Sequence, residues 1–280
     1  MANFLRPSYE VKTSYVPKAS GLAYVYVPLG LTRDVALWGG KADGNPLWVQ
    51  FNDFDSAGCP AKCTEQKTAG DVHRFFTISP RFKGNTILEA RLGGRTGPVW
   101  DFVQVQVERA IAWGAKVSHV FKMKVIDICK RINLEPDYLM ACMAFETGRT
   151  MSPSIHNAAG SGAVGLIQFM PKIAVGLHTT AAALGSMDAV RQLDYVEKYM
   201  AGAMRAAGTT LQSVEDVYMA ILFPAAIGKP DTHVLFRKGT IAYTQNRGLD
   251  IDNDGVINKF EAAQGVRALL KQGRGHGFLG

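Results

Sequence analysis

Apolar and polar residues alternate along the first part of the chain, and the period changes near residue 110. Before that point the runs LAYVYVPLG, PLWVQFND, RFFTISPR, NTILEARL and VWDFVQVQVE are separated by Gly, Pro and Asp/Asn turns. In the last run Val103, Val105 and Val107 alternate with Gln104 and Gln106, the period of two that marks a strand with one buried face. Several such runs with no long helix between them predict an antiparallel sandwich or small barrel over residues 1–110. His73 is single in this region and no reactive cluster surrounds it.

After residue 110 the period lengthens to that of helices. VSHVFKMKVIDICKRI predicts a helix over residues 117–132. Pro136 suits the first turn of the next helix, where its missing N–H costs nothing, and Gly148 closes that helix as a left-handed cap. Ser186 is the expected N-cap of the helix through DAVRQLDYVEKYMAGAM. Ser213 and Asp216 form a capping-box pattern ahead of a helix that stops at Pro224. The fold class is therefore multidomain α+β, a β-rich sandwich or barrel over 1–110 followed by a helical domain over 111–280.

One position breaks the helical pattern. Leu139, Cys142, Met143 and Glu146 fall on one face of the second helix, so an acid continues an apolar stripe. Burial disfavours a carboxylate there, and the negative end of the helix dipole disfavours it further. Both effects raise the pKa toward about 6–7, where a carboxyl donates a proton near neutral pH. The plainer reading is a glutamate that reaches solvent from a helix end.

Composition narrows the setting. The chain has 280 residues, 47% hydrophobic and 20% charged, values of a foldable chain. No apolar run approaches the length of a membrane span, and the N-terminal residues carry no apolar signal core. Net charge is +7, with Lys and Arg scattered, which suits a solvated surface or attraction to an anionic partner such as nucleic acid, a membrane surface or a bacterial envelope, and charge alone does not choose among these. Cys129 and Cys142 fall in apolar helical patterns; Cys59 and Cys63 sit in CPAKC, where a local disulfide and two free thiols are equal alternatives. Zinc is disfavoured, because only His73 lies near.

DIDNDGVINKFE, residues 250–261, fits the EF-hand calcium loop. Asp250, Asp252 and Asp254 take positions 1, 3 and 5, Gly255 position 6, the Val256 carbonyl position 7, Asn258 position 9 and Glu261 position 12. The exiting segment reads as helix; the entering TIAYTQNRG does not. With no second hand to pair with, the site reads as structural, and calcium is the expected cofactor.

MAFETG followed by GSGAVGLIQFMP resembles the lysozyme-like lytic transglycosylases of bacteria and their phages. That family carries a catalytic Glu at a helix end, a loop, and a Gly-Ala-x-Gly-Leu-(Met/Ile)-Gln-x-Met-Pro signature, here residues 162–171. The resemblance runs from about residue 115 to 265 and is strongest over 138–171. It implies a lysozyme-like helical domain and a cleft for peptidoglycan glycan strands. Glu146 would be the catalytic acid, with Gln168 and Met170 lining the cleft and Asn157 and Ser161 near the N-acetyl groups. The family's Tyr-Asn-Ala-Gly stretch is absent; its counterpart is Phe223-Pro224-Ala225-Ala226, and Tyr243 is a candidate to replace the missing hydroxyl.

The resemblance implies cleavage of the MurNAc-GlcNAc β-1,4 bond by a single Glu acid/base, giving a 1,6-anhydromuramyl product. After Glu146 the next acid is Asp188, which reads as a first-turn helix residue. If Asp194 or Glu215 folds into the cleft, the reaction is instead that of a hydrolytic muramidase with two carboxylates. A non-catalytic virion or wall-binding protein is the alternative outside enzymology. The expected setting is a phage endolysin, held in the host cytoplasm before release, or a virion-associated lysin. It acts on the bacterial cell wall, with virion proteins as further partners and neither nucleic acid nor membrane insertion involved.

Overall fold

The computed structural model describes residues 5–7, 24–37, 41–42, 45–52, 57–66, 74–97, 99–157 and 160–280. His73 lies outside them. The chain divides into two compact units, Met1–Ala110 and Ile111–Gly280, and is mixed α+β with most strands in the first.

The first unit holds strands β1 (Leu5–Pro7), β2 (Tyr24–Pro28), β3 (Arg33–Leu37), β4 (Lys41–Ala42), β5 (Asn45–Phe51), β6 (Ala61–Gln66), β7 (Arg74–Pro80), β8 (Gly84–Leu92) and β9 (Val99–Glu108). They form two sheets, ordered β1-β3-β7-β6 and β2-β9-β8-β5-β4. Both sheets feed one core, in which Val25, Val27, Leu88, Val103 and Val105 from one meet Ala61, Phe76 and Ile78 from the other. This is a sandwich. The alternation in β9 is realised: Val103, Val105 and Val107 are buried between less buried glutamines. One pairing departs from the expected antiparallel plan, since β2 runs parallel to β9, Val25 opposite Val105. Periodicity reports which face is buried and carries no strand direction. None of the four cysteines forms a disulfide. CPAKC is not a polar loop: Cys63 sits in β6 opposite Ile78 and Cys59 is buried, so the local disulfide is not formed.

The second unit begins with α1 (His119–Arg131), capped by Ser118, and α2 (Pro136–Glu146), with Pro136 in its first turn. Then come α3 (Pro171–Gly176), α4 (Ala181–Ser186), α5 (Ala189–Ala207) and α6 (Val214–Leu222). The N-cap of α5 is Asp188 rather than Ser186; its carboxylate accepts the Arg191 N–H, while Ser186 closes α4. Ser213 caps α6 as expected, but Asp216 does not return the bond, because its carboxylate is engaged by Lys259 and the Gly228 N–H. The last elements are β10 (Val234–Arg237), α7 (Ile241–Asn246), β11 (Val256–Asn258), α8 (Lys259–Ala262) and α9 (Gln264–Gly273).

One core runs through this unit, with Leu139, Met140 and Met143 of α2 at its centre, beside Val217 and Met219 of α6 and Val266 of α9. The segment before α1 closes against the far end of the unit. Ile111 and Gly280 exchange backbone bonds in both directions, at 2.9 and 3.2 Å, and the indole of buried Trp113 donates to Leu269 O at 2.9 Å. Gly273 packs on that indole, and a Cβ there would overlap it.

Candidate functional site

Glu146 is the last residue of α2, directly after the buried face formed by Leu139, Cys142 and Met143. Thr147 fixes the chain where it leaves the helix: its buried hydroxyl donates to Met143 O at 2.6 Å and accepts from the Met151 N–H at 3.0 Å. Gly148, Arg149 and Met151 then take positive φ of 57, 73 and 53°, so the loop turns sharply away from the acid. Two of these are not glycine, and such backbone is held only where the surroundings over-determine it.

The Glu146 carboxyl makes no hydrogen bond and no ion pair among the described residues. Burial raises its pKa to about 8, so it carries a proton at neutral pH. The direction is the one expected for an acid on an apolar stripe, with burial as its cause. Burial, and after it the charge of Glu146, raises the Cys142 thiol and the phenols of Tyr199 and Tyr218. These groups therefore lie around the acid. Tyr218 stands edge-on to Phe145 at 5.3 Å, and Tyr199 donates to Ala220 O at 2.7 Å. Neither tyrosine is marked by a motif.

A stability test follows from that proton. The folded chain retains it between pH 4.5 and about 8 while the unfolded chain loses it, so stability falls as pH rises through that window and is level above it. Glu146→Gln cannot ionise. Its melting temperature is expected to gain on wild type from pH 5 to 8 and to keep that gain at pH 9. A difference that is constant with pH would mean an ordinary carboxyl.

The glycine-punctuated segment forms a tight loop. Val164 and Phe169 exchange backbone bonds at 3.1 and 2.8 Å across the turn Gly165–Gln168, and the Gly165 N–H is bound by Ile155 O at 2.9 Å. Gly165 has φ +85°, and Gln168 itself is left-handed at +50°. The Gln168 amide nitrogen donates to Ile155 O and Gly165 O, which leaves Oε1 without a partner among the described residues. Met170 is 45% exposed, which removes the plain core reading. Asn157 and Ser161 are also exposed, and Ser161 Oγ accepts from the Ala163 N–H. Phe169 meets Tyr199 edge-on at 6.2 Å, and Tyr199 feels the Glu146 charge, so the loop and the acid share this wall.

The acids considered as a second carboxylate each have a partner of their own. Asp188 caps α5, Asp194 pairs with Lys124 at 2.7 Å, and Glu215 pairs with Arg267 at 3.0 Å. A hollow of about 450 Å³ on this unit is lined by Tyr138, Ser213, Glu215, Arg267, Lys271 and Arg274 among others, and Glu146 is not part of it.

Residues 250–261 form the second constellation. The carboxylates of Asp250, Asp252 and Asp254 bring one oxygen each within 4.8 Å of the others, a cluster that can hold a metal ion. Asp250 is 7% exposed and its Oδ1 is buried with no hydrogen-bond partner, the state of a ligand aimed inward. Asn253 and Gly255 take φ of 61 and 86° to wrap the loop. Glu261 is buried, and its carboxylate accepts the Ile251 and Asn258 N–H groups. Val256 and Asn258 lie in β11, which pairs with β10. The entering segment is helical after all, α7 capped by Thr240, too short for a periodicity reading. Tyr243 belongs to this loop: it is buried and its hydroxyl donates to Asp250 Oδ2 at 2.5 Å.

Sequence reasoning also missed Gln192, fully buried on α5 and bonded to the loop around Gly165. The signal was present, because Gln192, Val196 and Met200 form a stripe with a polar member, the pattern that singled out Glu146. No family model and no curated protein matches this chain.

Proposed function

We propose that this chain is a peptidoglycan-degrading lytic transglycosylase, acting through Glu146 on the MurNAc-GlcNAc β-1,4 bond. The observation that carries the reading is a half-buried glutamate with no hydrogen-bond partner among the described residues, its pKa raised to about 8 by desolvation. Such a group holds its proton at neutral pH and gives it to a leaving glycosidic oxygen. With Asp188, Asp194 and Glu215 each held by a partner, a single-acid reaction completed by the substrate's own groups is favoured over two-carboxylate hydrolysis. The signature residues 162–171, folded into a loop that shares Tyr199 with the acid, support a glycan strand as substrate. A phage endolysin or virion-associated lysin is the setting. No helix among the described residues is long and apolar enough to cross a membrane. Mass spectrometry of digested peptidoglycan tests the reaction: anhydro ends are expected, reducing ends would make it a muramidase, and no products would leave a binding protein.

Calcium is the metal proposed for the loop of Asp250, Asp252, Asp254, Val256, Asn258 and Glu261. An all-oxygen set suits a hard cation, and the orphaned Asp250 Oδ1 is an oxygen that needs one. Binding to the folded state alone stabilises by about 2.7 kcal/mol at a hundredfold excess over Kd. Melting is expected to rise with calcium and fall with chelator, and Asp250→Ala to erase the shift while cold turnover persists. Loss of turnover in a mutant that still melts normally would move the metal into the chemistry.

The β unit is proposed to attach the enzyme to the wall or the particle. Expressed as 1–110 it is expected to fold and to sediment with peptidoglycan sacculi. If it stays in the supernatant and its deletion leaves whole-wall activity unchanged, wall attachment is wrong.

A further inference from the structure

The signature loop is tied down from outside by one side chain. Gln192 is fully buried on α5, and its amide is saturated by protein. Oε1 accepts the Leu166 N–H at 2.7 Å, while Nε2 donates to Pro153 O at 2.9 Å and to Leu184 O at 2.8 Å. One planar group thus joins the start of the loop, its tight turn and the end of α4. Gly165 lies so close that a Cβ on it would stand 2.5 Å from Gln192 Nε2. Gly165 O in turn holds the Gln168 amide at 3.1 Å. The contacts run without a gap from Gln192 through Gly165 and Leu166 to Gln168.

The site demands one acceptor and two donors in one plane at a fixed reach. A glutamine supplies that set; methionine supplies none of it, and asparagine supplies it one methylene short. Each buried group left unpaired by a substitution carries a desolvation cost, so the loop would shift to find water.

We propose that Gln192 is the positioning residue of the glycan site, its buried amide setting the register of residues 153–157 and 160–168 and so the presentation of Gln168 to the sugar. This rests on the peptidoglycan reading. Gln192 touches no substrate. It acts on glycan binding through the loop, and the proton held by Glu146 is untouched.

The test compares wild type with Gln192→Met and the milder Gln192→Asn on soluble peptidoglycan glycan strands, and follows amide hydrogen exchange over residues 155–168. A misplaced binding loop is expected to raise KM about tenfold for Gln192→Met, with Gln192→Asn between it and wild type and kcat within about twofold. Exchange is expected to speed up over 155–168 and to stay unchanged in α1. Folded variants with wild-type KM and wild-type exchange would overturn the proposal, as would a loss confined to kcat. If Gln192→Met does not fold, Gln192→Asn decides by the same two readouts. A wild-type chain that cleaves no glycan would overturn the peptidoglycan reading instead, and exchange over 155–168 would still decide whether Gln192 sets the loop.

Discussion

Glu146→Gln is expected to leave a folded protein whose turnover on peptidoglycan is lower by about 10²–10⁴-fold. The amide has the shape of the protonated carboxyl and lacks a transferable proton. Folding is not at risk, because the carboxyl makes no hydrogen bond or ion pair among the described residues and the neutral state is the one the site prefers. The activity of wild type is expected to fall as pH rises through about 8, where Glu146 loses its proton. A purified Glu146→Gln protein that clears cell walls at more than a few per cent of the wild-type rate would remove Glu146 from the chemistry.

The largest stability effect is expected at Lys259. Its ammonium is almost fully buried, 2.6 Å from Asp216 Oδ1 and 2.8 Å from Lys229 O. Asp216 also accepts the Gly228 N–H at 2.9 Å, so the network joins α6, the chain after it, and the helix that leaves the metal loop. Removing one partner of such a pair leaves an uncompensated charge, at a cost of about 3–5 kcal/mol. Lys259→Ala is therefore expected to lower the denaturant midpoint strongly. Adding Asp216→Ala should recover part of that loss. A double-mutant cycle in urea reads the coupling; additive losses would mean that the two charges act independently.

How much of this was legible beforehand depends on whether the signal was local. The stripe of α2 is four residues of one sequence stretch, and it announced both the helix and its anomalous acid. The acidic cluster of Asp250, Asp252 and Asp254 lies within twelve contiguous positions and was equally readable. The strands β2, β5, β7, β8 and β9 were visible as alternating runs, whereas β3, β6 and the parallel β2–β9 pairing depend on neighbours distant in sequence. Tyr243 was a candidate to replace the hydroxyl of the absent Tyr-Asn-Ala-Gly stretch; the folded chain instead bonds that hydroxyl to Asp250. Tyr218 and Tyr199 could not be read at all, since their relation to Glu146 exists only once α5 and α6 join α2 in one core. Asp188 outcompeted Ser186 as the cap of α5 because α4 extends to Ser186, a boundary the residue pattern does not mark.

The reciprocal backbone bonds between Ile111 and Gly280 put both ends of the helical unit at one spot. A unit with that geometry behaves as a cassette. It can be spliced into a surface loop of a host protein, or have its ends joined by a short linker and be reopened elsewhere, without stretching the fold. Reopening in the exposed turn near Gly208 leaves the acidic loop 250–261, Glu146 and the loop held by Gln192 uncut.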